Sequence, residues 1–302
     1  MNGIDVSKHN LIVDWDKLTA SGVKFVLIRA GYGNDISQKD PKFDEYVKAA
    51  LAHNLHVGVY WFSYAVSIAD AEKEADLCRK VIEPYKGKID FPVAFDYEYD
   101  SAAWAMRKNI TVTASVDAMA RGFMDNLKAN GWFVNLYTNV DFIRSGKFKA
   151  ETTKAYDIWL ADYSGGPDYP CYIQQTGSTG SVPGITGNVD MDVCFRDYPT
   201  MIMAGGYNGY PKQPQTTVKI DTTTDVNLQF GKVYTFYTES GQVPSVTCGT
   251  EAVMTLMHCR RDTAMSRDYW HVMAIGKPGQ ATGIYTSAPG EQPLKRFVAR
   301  VA

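Results

Sequence analysis

The sequence has no long apolar run and no excess of positive charge. No stretch approaches the about 18 consecutive apolar residues of a membrane-spanning helix, so we expect no membrane partner. The net charge is −2, which argues against nucleic acid as a partner, because that binding usually needs a basic patch. The 302 residues, 45% hydrophobic and 21% charged, are typical of a soluble globular protein with room for two domains.

Spacings that indicate a metal site, a redox motif or a Ser nucleophile are also absent. The cysteines are odd in number and lack a CxxC motif, so they favour small buried side chains over a disulfide framework or zinc site. A bridge between Cys248 and Cys259 stays open. The five histidines show no metal spacing, GxSxG does not occur, and Gly31-Tyr-Gly33 lacks the third glycine of a dinucleotide fingerprint. We expect no metal and no cofactor.

Short strand-like runs dominate residues 1–198, and helical patterns follow the first five of them. The gaps between the last three are too short for crossover helices. We therefore predict an α/β fold, a TIM-like (β/α)5(β)3 barrel whose second half is degenerate. The eight predicted strands are Asn2–Val6, Lys24–Ala30, His56–Phe62, Phe91–Glu98, Phe133–Thr138, Asp157–Ala161, Cys171–Gln175 and Asn188–Val193.

The character of the chain changes after the predicted barrel. Residues 199–216 are rich in glycine and proline and lack periodicity, so we predict a linker. Residues 217–302 contain short strands at close spacing, separated by turn signals such as Gly231 and Pro244. This pattern predicts a small all-β sandwich-like domain.

The predicted strand at 91–100 carries the residues most indicative of chemistry. Because alternate residues of a strand face opposite sides, one face is large and aromatic while the other carries Asp96, Glu98 and Asp100. In a barrel the acidic face would look inward at the carboxyl end of the strand, where active sites of this architecture lie. An ordinary solvated strand end or an ion pair is the plain alternative.

Two further predicted strands also bring acids to this end of the barrel. Asp5 lies on the first, while Asp190 and Asp192 share a face of the eighth. Neighbouring first and eighth strands would place Asp5 beside Asp190. We expect Asp192 to have no role in the site. Crowded carboxylates cannot all ionise, so one retains a proton and can act as a general acid, as glycoside hydrolysis requires.

Aromatic residues at or just after predicted strand ends are candidates for contacting sugar, since apolar sugar faces stack on such rings. Each alone is more typical of core or surface packing, and their shared position is the argument. The candidates are Tyr32, Trp61, Tyr64, Tyr137, Trp159 and Tyr163.

Several segments together resemble the glycoside hydrolase family 25 lysozymes over about residues 2–198. Lys8-His9-Asn10 departs from the resemblance at a place where a Gln-Gly type of turn is common. The segments that carry the resemblance are Gly3–Ser7, Phe25–Gly33, Val57–Tyr64, Phe95–Glu98, Ile158–Tyr163 and Val189–Asp190.

The resemblance implies cleavage of the β-1,4 bond between N-acetylmuramic acid and N-acetylglucosamine in bacterial peptidoglycan. It implies Glu98 as general acid and Asp96 as nucleophile or as stabiliser of an acetamido-assisted intermediate. Asp5 and Asp190 would hold and polarise that pair, and Asp162 would join the substrate-binding residues. A chitinase-like or endo-glucosaminidase barrel and an inactive wall-binding protein are the alternatives.

The resemblance also bears on where the protein acts and on its second domain. We expect action outside the cell, on the wall. No signal peptide precedes Gly3, so we expect a leader already removed or a phage-type endolysin made in the host cytoplasm. For residues 217–302 our hypothesis is cell-wall binding, which would hold the enzyme at an insoluble substrate. A spacer or stabilising domain is the alternative.

Overall fold

The computed structural model describes residues 1–211, 218–289 and 291–302. The chain forms two compact units, Met1–Pro211 and Lys212–Ala302. Residues 212–216 of the expected linker and residue 217 of the expected second domain lie outside the described residues.

Within residues 1–211, eight strands close into the expected barrel, in the spatial order β1-β10-β8-β7-β6-β5-β4-β3. Neighbours from β1 through β8 are parallel, while β10 runs antiparallel to both β8 and β1. The two antiparallel pairings explain why short connections suffice at the end of the barrel. The barrel strands are β1 (Asn2–Val6), β3 (Phe25–Tyr32), β4 (His56–Phe62), β5 (Val93–Asp96), β6 (Val134–Asn139), β7 (Asp157–Ala161), β8 (Ile173–Gly180) and β10 (Val189–Cys194).

Helices follow each of the first five barrel strands, as expected. The longest begin at serine caps: Ser67 accepts a hydrogen bond from the Asp70 amide, and Ser115 accepts one from the Ala118 amide. The helices are α1 (Trp15–Ala20), α2 (Phe43–Ala52), α3 (Ile68–Ile82), α4 (Tyr99–Arg107), α5 (Val116–Ala129), α6 (Val140–Arg144), α7 (Ala150–Ala155) and α8 (Tyr198–Gly205), with 3-10 turns at Ile36–Gln38 and Glu83–Tyr85 and a small pair of strands, β2 (Leu11–Ile12) and β9 (Ile185–Thr186).

Strand alternation gives the barrel two apolar layers. Outward side chains such as Val93 and Phe95 pack against the helices. Inward side chains such as Phe25, Phe91 and Trp159 fill the barrel itself. The interior is therefore closed by large side chains, and polar groups collect at the carboxyl ends of the strands.

The expected linker is wrong over its first residues, because the chain continues the barrel unit to residue 211. Helix α8 begins at Tyr198, one residue before this segment, and buries Tyr198 and Ile202 against the barrel interior cluster. Asn208 is fully buried: its amide donates to the carbonyls of Ile89 and Phe91 at 3.0 Å and accepts from the Phe133 amide at 2.7 Å. A short apolar helix and one asparagine carry too little periodicity to be recognised in the sequence.

The second unit is a sandwich of two four-stranded sheets. One sheet has the order β11-β13-β16-β15 and the other β12-β18-β17-β14. Side chains from both sheets, including Phe236, Trp270 and Phe297, form its core. All five cysteines of the chain are free thiols, which settles the open Cys248–Cys259 question. The strands are β11 (Lys219–Ile220), β12 (Val226–Leu228), β13 (Val233–Glu239), β14 (Ser245–Cys248), β15 (Met254–Asp262), β16 (Arg267–Ala274), β17 (Ala281–Ser287) and β18 (Leu294–Val301).

Candidate active site

Carboxyl groups from three strands meet at one end of the barrel. Asp5 lies directly opposite Asp190 across the β1–β10 pairing, as expected for a closed barrel. Asp96 ends β5, where its register partners are Phe62 and Tyr137. Asp5 and Asp96 are buried, with 5% and 4% of their surfaces exposed. An ordinary solvated strand end would not bury both groups.

Strand β5 is shorter than predicted, and Glu98 lies beyond it. The strand ends at Asp96, and Glu98 occupies the position before helix α4, where its amide donates to the Ser101 hydroxyl at 3.1 Å. Asp100 belongs to the first turn of α4 and not to an inward strand face. The turn nevertheless leaves Glu98 partly exposed above the buried Asp96.

Asp96 and Glu98 form a coupled acidic pair. Burial raises the pKa of Asp96 well above its usual range, and the neighbouring charge of Glu98 raises it further. Burial also raises the pKa of Glu98, and a hydrogen bond from Tyr137 opposes that shift. Oδ1 of Asp96 is buried without a partner among the described residues when both acids are ionised. A proton shared between the two carboxyls would satisfy it.

Asp192 contradicts the expectation that it lies apart from the site. It is 2% exposed, and Nε1 of Trp159 donates to its Oδ1 at 2.8 Å. Burial raises its pKa to about 8, and it lies within hydrogen-bonding reach of Asp5. Because burial and the neighbouring negative charges raise the pKa values of both Asp5 and Asp192, this pair of carboxyls retains a proton at a higher pH than a free carboxyl does. Burial also raises the pKa of Asp190.

Gln175 joins the acids to two tyrosines and was missed by the sequence reasoning. Its Nε2 donates to Oδ2 of Asp5 at 2.7 Å. Its Oε1 accepts from the hydroxyls of Tyr137 at 3.0 Å and Tyr163 at 2.8 Å. Because two hydroxyls donate to one amide oxygen, the amide nitrogen is directed at Asp5 and favours its ionised form. The sequence offered one signal: Gln175 lies two residues after Ile173 on the same strand, so both side chains face into the barrel.

Aromatic rings, including Tyr32 and Tyr64, line one cavity at the carboxyl ends of β3 and β4. Their ring centroids lie 6.2 Å apart in an edge-to-face arrangement. Tyr64 also contacts Phe62 and Trp104, both at 5.2 Å. Trp104 is partly exposed on α4, a helix that the sequence reasoning did not predict. The three rings around Tyr64 form a surface suited to stacking on sugar.

Three of the predicted substrate-binding residues have other roles. Trp61 is fully buried in the outer layer, and its Nε1 donates to the Gly33 carbonyl at 3.1 Å. Trp159 is 2% exposed inside the barrel, where it supports Asp192. Both oxygens of the Asp162 carboxylate accept hydrogen bonds within its own loop, from Ser164 and Asp168. These side chains are not presented to a ligand.

This arrangement of groups can support acid catalysis next to a stabilising negative charge. It combines a partly exposed acid with a raised pKa, a buried carboxyl beneath it and amide-supported Asp5. The sequence profile of the glycosyl hydrolases family 25 matches residues 4–184, which include Asp5, Asp96 and Glu98. The chain belongs to this family.

Relatives of known name agree with family 25 membership. The autolytic lysozyme of Clostridium acetobutylicum is 28% identical over 214 residues, which are 68% of this chain and 58% of that protein. The chain therefore spans little more than half the length of this curated relative.

Solved structures share the fold of family 25. The catalytic domain of the endolysin ply40, from bacteriophage P40 of Listeria monocytogenes, aligns with 69% of the chain and 97% of its own at a TM-score of 0.56 and 22% identity. The spore cortex lytic enzyme SleM of Clostridium perfringens covers 99% of this chain and 97% of its own at a TM-score of 0.54 and 14% identity. The autolysin LytC of Streptococcus pneumoniae was solved with a synthetic peptidoglycan ligand. Its alignment covers 63% of this chain and 46% of its own, at a TM-score of 0.55 and 24% identity. At these identities the likeness establishes the fold alone. Among the described residues, no helix is both long and apolar enough to cross a bilayer.

Proposed function

We propose that the barrel hydrolyses the β-1,4 bond between N-acetylmuramic acid and N-acetylglucosamine of bacterial peptidoglycan, acting on the wall from outside the cell. The observation that carries this proposal is the Asp96–Glu98 pair with raised pKa values at the mouth of a family 25 barrel. The autolytic lysozyme relative and the LytC complex with a peptidoglycan ligand support the choice of substrate.

Glu98 is the general acid in this proposal. It is the more exposed member of the pair, so its proton can reach a glycosidic oxygen in the cleft while Asp96 stays below. As the glycosidic bond breaks, Glu98 transfers its proton to the leaving oxygen and becomes a carboxylate. The Tyr137 hydroxyl can turn its single hydrogen from Gln175 to that carboxylate and stabilise it, because hydrogen bonding to the ionised form lowers the Glu98 pKa.

Asp96 and the β1–β10 acids supply negative charge to the sugar that becomes positively charged. Asp96 acts as nucleophile or as stabiliser of an acetamido-assisted intermediate, and water then completes hydrolysis. Asp5, to which Gln175 donates a hydrogen bond, together with Asp190 holds and polarises the reacting group. Tyr32, Tyr64, Tyr137 and Tyr163 complete the sugar-binding surface.

The test is the substitution Glu98→Gln, which keeps the shape of the side chain and removes its acid. We expect clearing of purified walls to fall by about 10²–10⁴-fold while wall binding persists. The exposed Glu45→Gln on α2 is the matched control and should clear as the wild type does. Wild-type clearing by Glu98→Gln would overturn the acid assignment.

Mass spectrometry of digested peptidoglycan identifies the bond. New reducing ends on muramic acid support the proposal. New reducing ends on glucosamine would instead show an endo-glucosaminidase, and no new ends with intact wall binding would show an inactive wall-binding protein.

We also propose that the C-terminal sandwich binds cell-wall polymer. Support comes from the outer face of its first sheet, where Tyr237 and Tyr269 are a cross-strand pair with centroids 5.9 Å apart. Arg267 stacks on the first ring at 4.4 Å and Arg260 on the second at 4.0 Å. Such a face can stack on sugars and attract anionic groups.

Co-sedimentation with purified walls tests this proposal. The double variant Tyr237→Ala/Tyr269→Ala should lower the bound fraction and retain hydrolysis of soluble fragments. Tyr285→Ala, on a strand of the other sheet, is the control. Binding equal to that of the wild type would favour a spacer or stabilising domain.

A further inference from the structure

A cavity of about 360 Å³ lies at the carboxyl ends of β1, β3 and β4. Lys8, His9, Arg29 and Tyr32 line it from the β1 and β3 side, and Phe62, the register partner of Asp96, lines it as well. The cavity is therefore next to the reacting groups. It also contains Lys8-His9, the turn that departs from the family resemblance.

One wall of this cavity is positively charged, in contrast to the acidic centre of the site. Lys8 is exposed, and its Nζ lies 5.8 Å from the centroid of the Tyr32 ring. The Arg29 guanidinium lies 5.7 Å from the same centroid. Partial burial and the charges of Arg29 and Lys8 lower the pKa of His9. The ring and the two cations face one ligand-sized space.

Asp40 fixes this wall from below. It is 1% exposed, and its Oδ2 accepts from the Lys8 backbone amide at 3.1 Å and from Nε of Arg29 at 2.9 Å. Asp40 neutralises Arg29, so Lys8 provides the wall's available positive charge.

We propose that the Lys8 wall is a binding subsite for the carboxylate substituent of the glycan, which makes Lys8 a residue that selects acid-bearing muramoyl chains over neutral ones. This inference rests on the proposed function, because peptidoglycan alternates a neutral sugar with one whose lactyl group is a free carboxylate wherever no stem peptide is attached. The negative Asp100 in the same cavity disfavours an anionic group on its side and so directs the substituent toward Lys8.

The experiment compares two forms of one substrate. Glycan strands freed of peptides by an amidase carry lactyl carboxylates, and carbodiimide coupling with methylamine makes the same strands neutral. Binding of both forms is measured in the Glu98→Gln background, with and without Lys8→Gln or Lys8→Arg. KM is measured in the active enzyme. Lys128→Gln is the control, since Lys128 lies over the Tyr156 ring at 5.4 Å, outside the cavity.

We expect the parent to bind charged strands about three- to fivefold more tightly than neutral strands at low ionic strength. Lys8→Gln should bring that ratio to about one, whereas Lys8→Arg and Lys128→Gln should keep it. The preference should disappear at about 1 M salt, where the Debye length is about 3 Å.

An unchanged preference in Lys8→Gln, or equal losses on charged and neutral strands, would overturn the proposal. These outcomes differ from failure of the proposed function, which would appear as a wild type that hydrolyses neither strand. The binding comparison decides the role of Lys8 even then.

Discussion

The contacts of Gln175 make it the most informative residue to substitute. Gln175→Leu removes a donor to Asp5 and an acceptor for Tyr137 and Tyr163 without opening a large cavity. Tyr163 is 55% exposed and can turn to water, and Tyr137 lies within hydrogen-bonding reach of Glu98, whereas Asp5 is buried and loses the donor to its Oδ2. One unsatisfied buried group predicts a loss of about 1–3 kcal/mol in the free energy of unfolding. That is a substantial share of the about 5–15 kcal/mol of a typical domain.

The same substitution should also change the pH profile. The Gln175 hydrogen bond lowers the pKa of Asp5, so its loss raises that pKa, and the acid limb of kcat/KM moves to higher pH. Denaturant unfolding and pH–rate profiles measure the two effects.

Gln174→Leu is the control for both measurements. Gln174 is buried on the same strand, but its amide donates to loop carbonyls of Asp162 and Gly165. It should lose stability and keep the acid limb. A folded Gln175→Leu enzyme with the wild-type acid limb, or the same shift in Gln174→Leu, would refute the reasoning.

Three further substitutions test two of the acids and the buried Asn208. Folding raises the pKa of Asp192 from 3.8 to about 8, so its contribution to stability is present at low pH and is lost as the pH rises toward 8. Asp192→Asn should therefore become more stable relative to the wild type as the pH rises from about 4 to about 8. A difference in melting temperature between the two proteins that does not change with pH would contradict this. Asp100→Asn should move the alkaline limb to lower pH, because the Asp100 charge helps raise the pKa of Glu98; an unmoved limb in the pH–rate profile would exclude that effect. Asn208→Ala should lower the free energy of unfolding by about 3 kcal/mol, because it leaves three backbone groups without their hydrogen-bond partner and places alanine at a φ of 55°. A loss below about 1 kcal/mol in chemical unfolding would argue that the segment after α8 does not stabilise the barrel unit.

Much of the barrel and its acidic centre could be predicted because the signals are local. Strands β1, β4 and β7 begin and end at the predicted residues, since apolar runs and their flanking turns are set by neighbours in the chain. Asp5 and Asp96 face inward as predicted, because a strand alternates whatever it pairs with.

Trp61 shows where local pattern was insufficient. Both faces of β4 are apolar, because a strand of a closed barrel packs against helices outside and side chains inside. The alternation of side chains along β4 then does not tell which residues face inward. Only the pairing of β4 with β3 and β5 decides that Tyr60 faces inward and Trp61 outward.

The amino-acid sequence by itself determined where most barrel strands lie along the chain and which acids, Asp5, Asp96 and Glu98, lie near their ends, since each depends on a few consecutive residues. Tertiary structure decided that Asp192 belongs to the site and that Gln175 links Asp5 to two tyrosines. These groups are far apart in the chain, since Asp5 and Gln175 are 170 residues apart, and barrel closure alone brings their side chains within 2.7 Å. Desolvation in that closed interior then raises the pKa of each carboxyl, a property that no single residue carries.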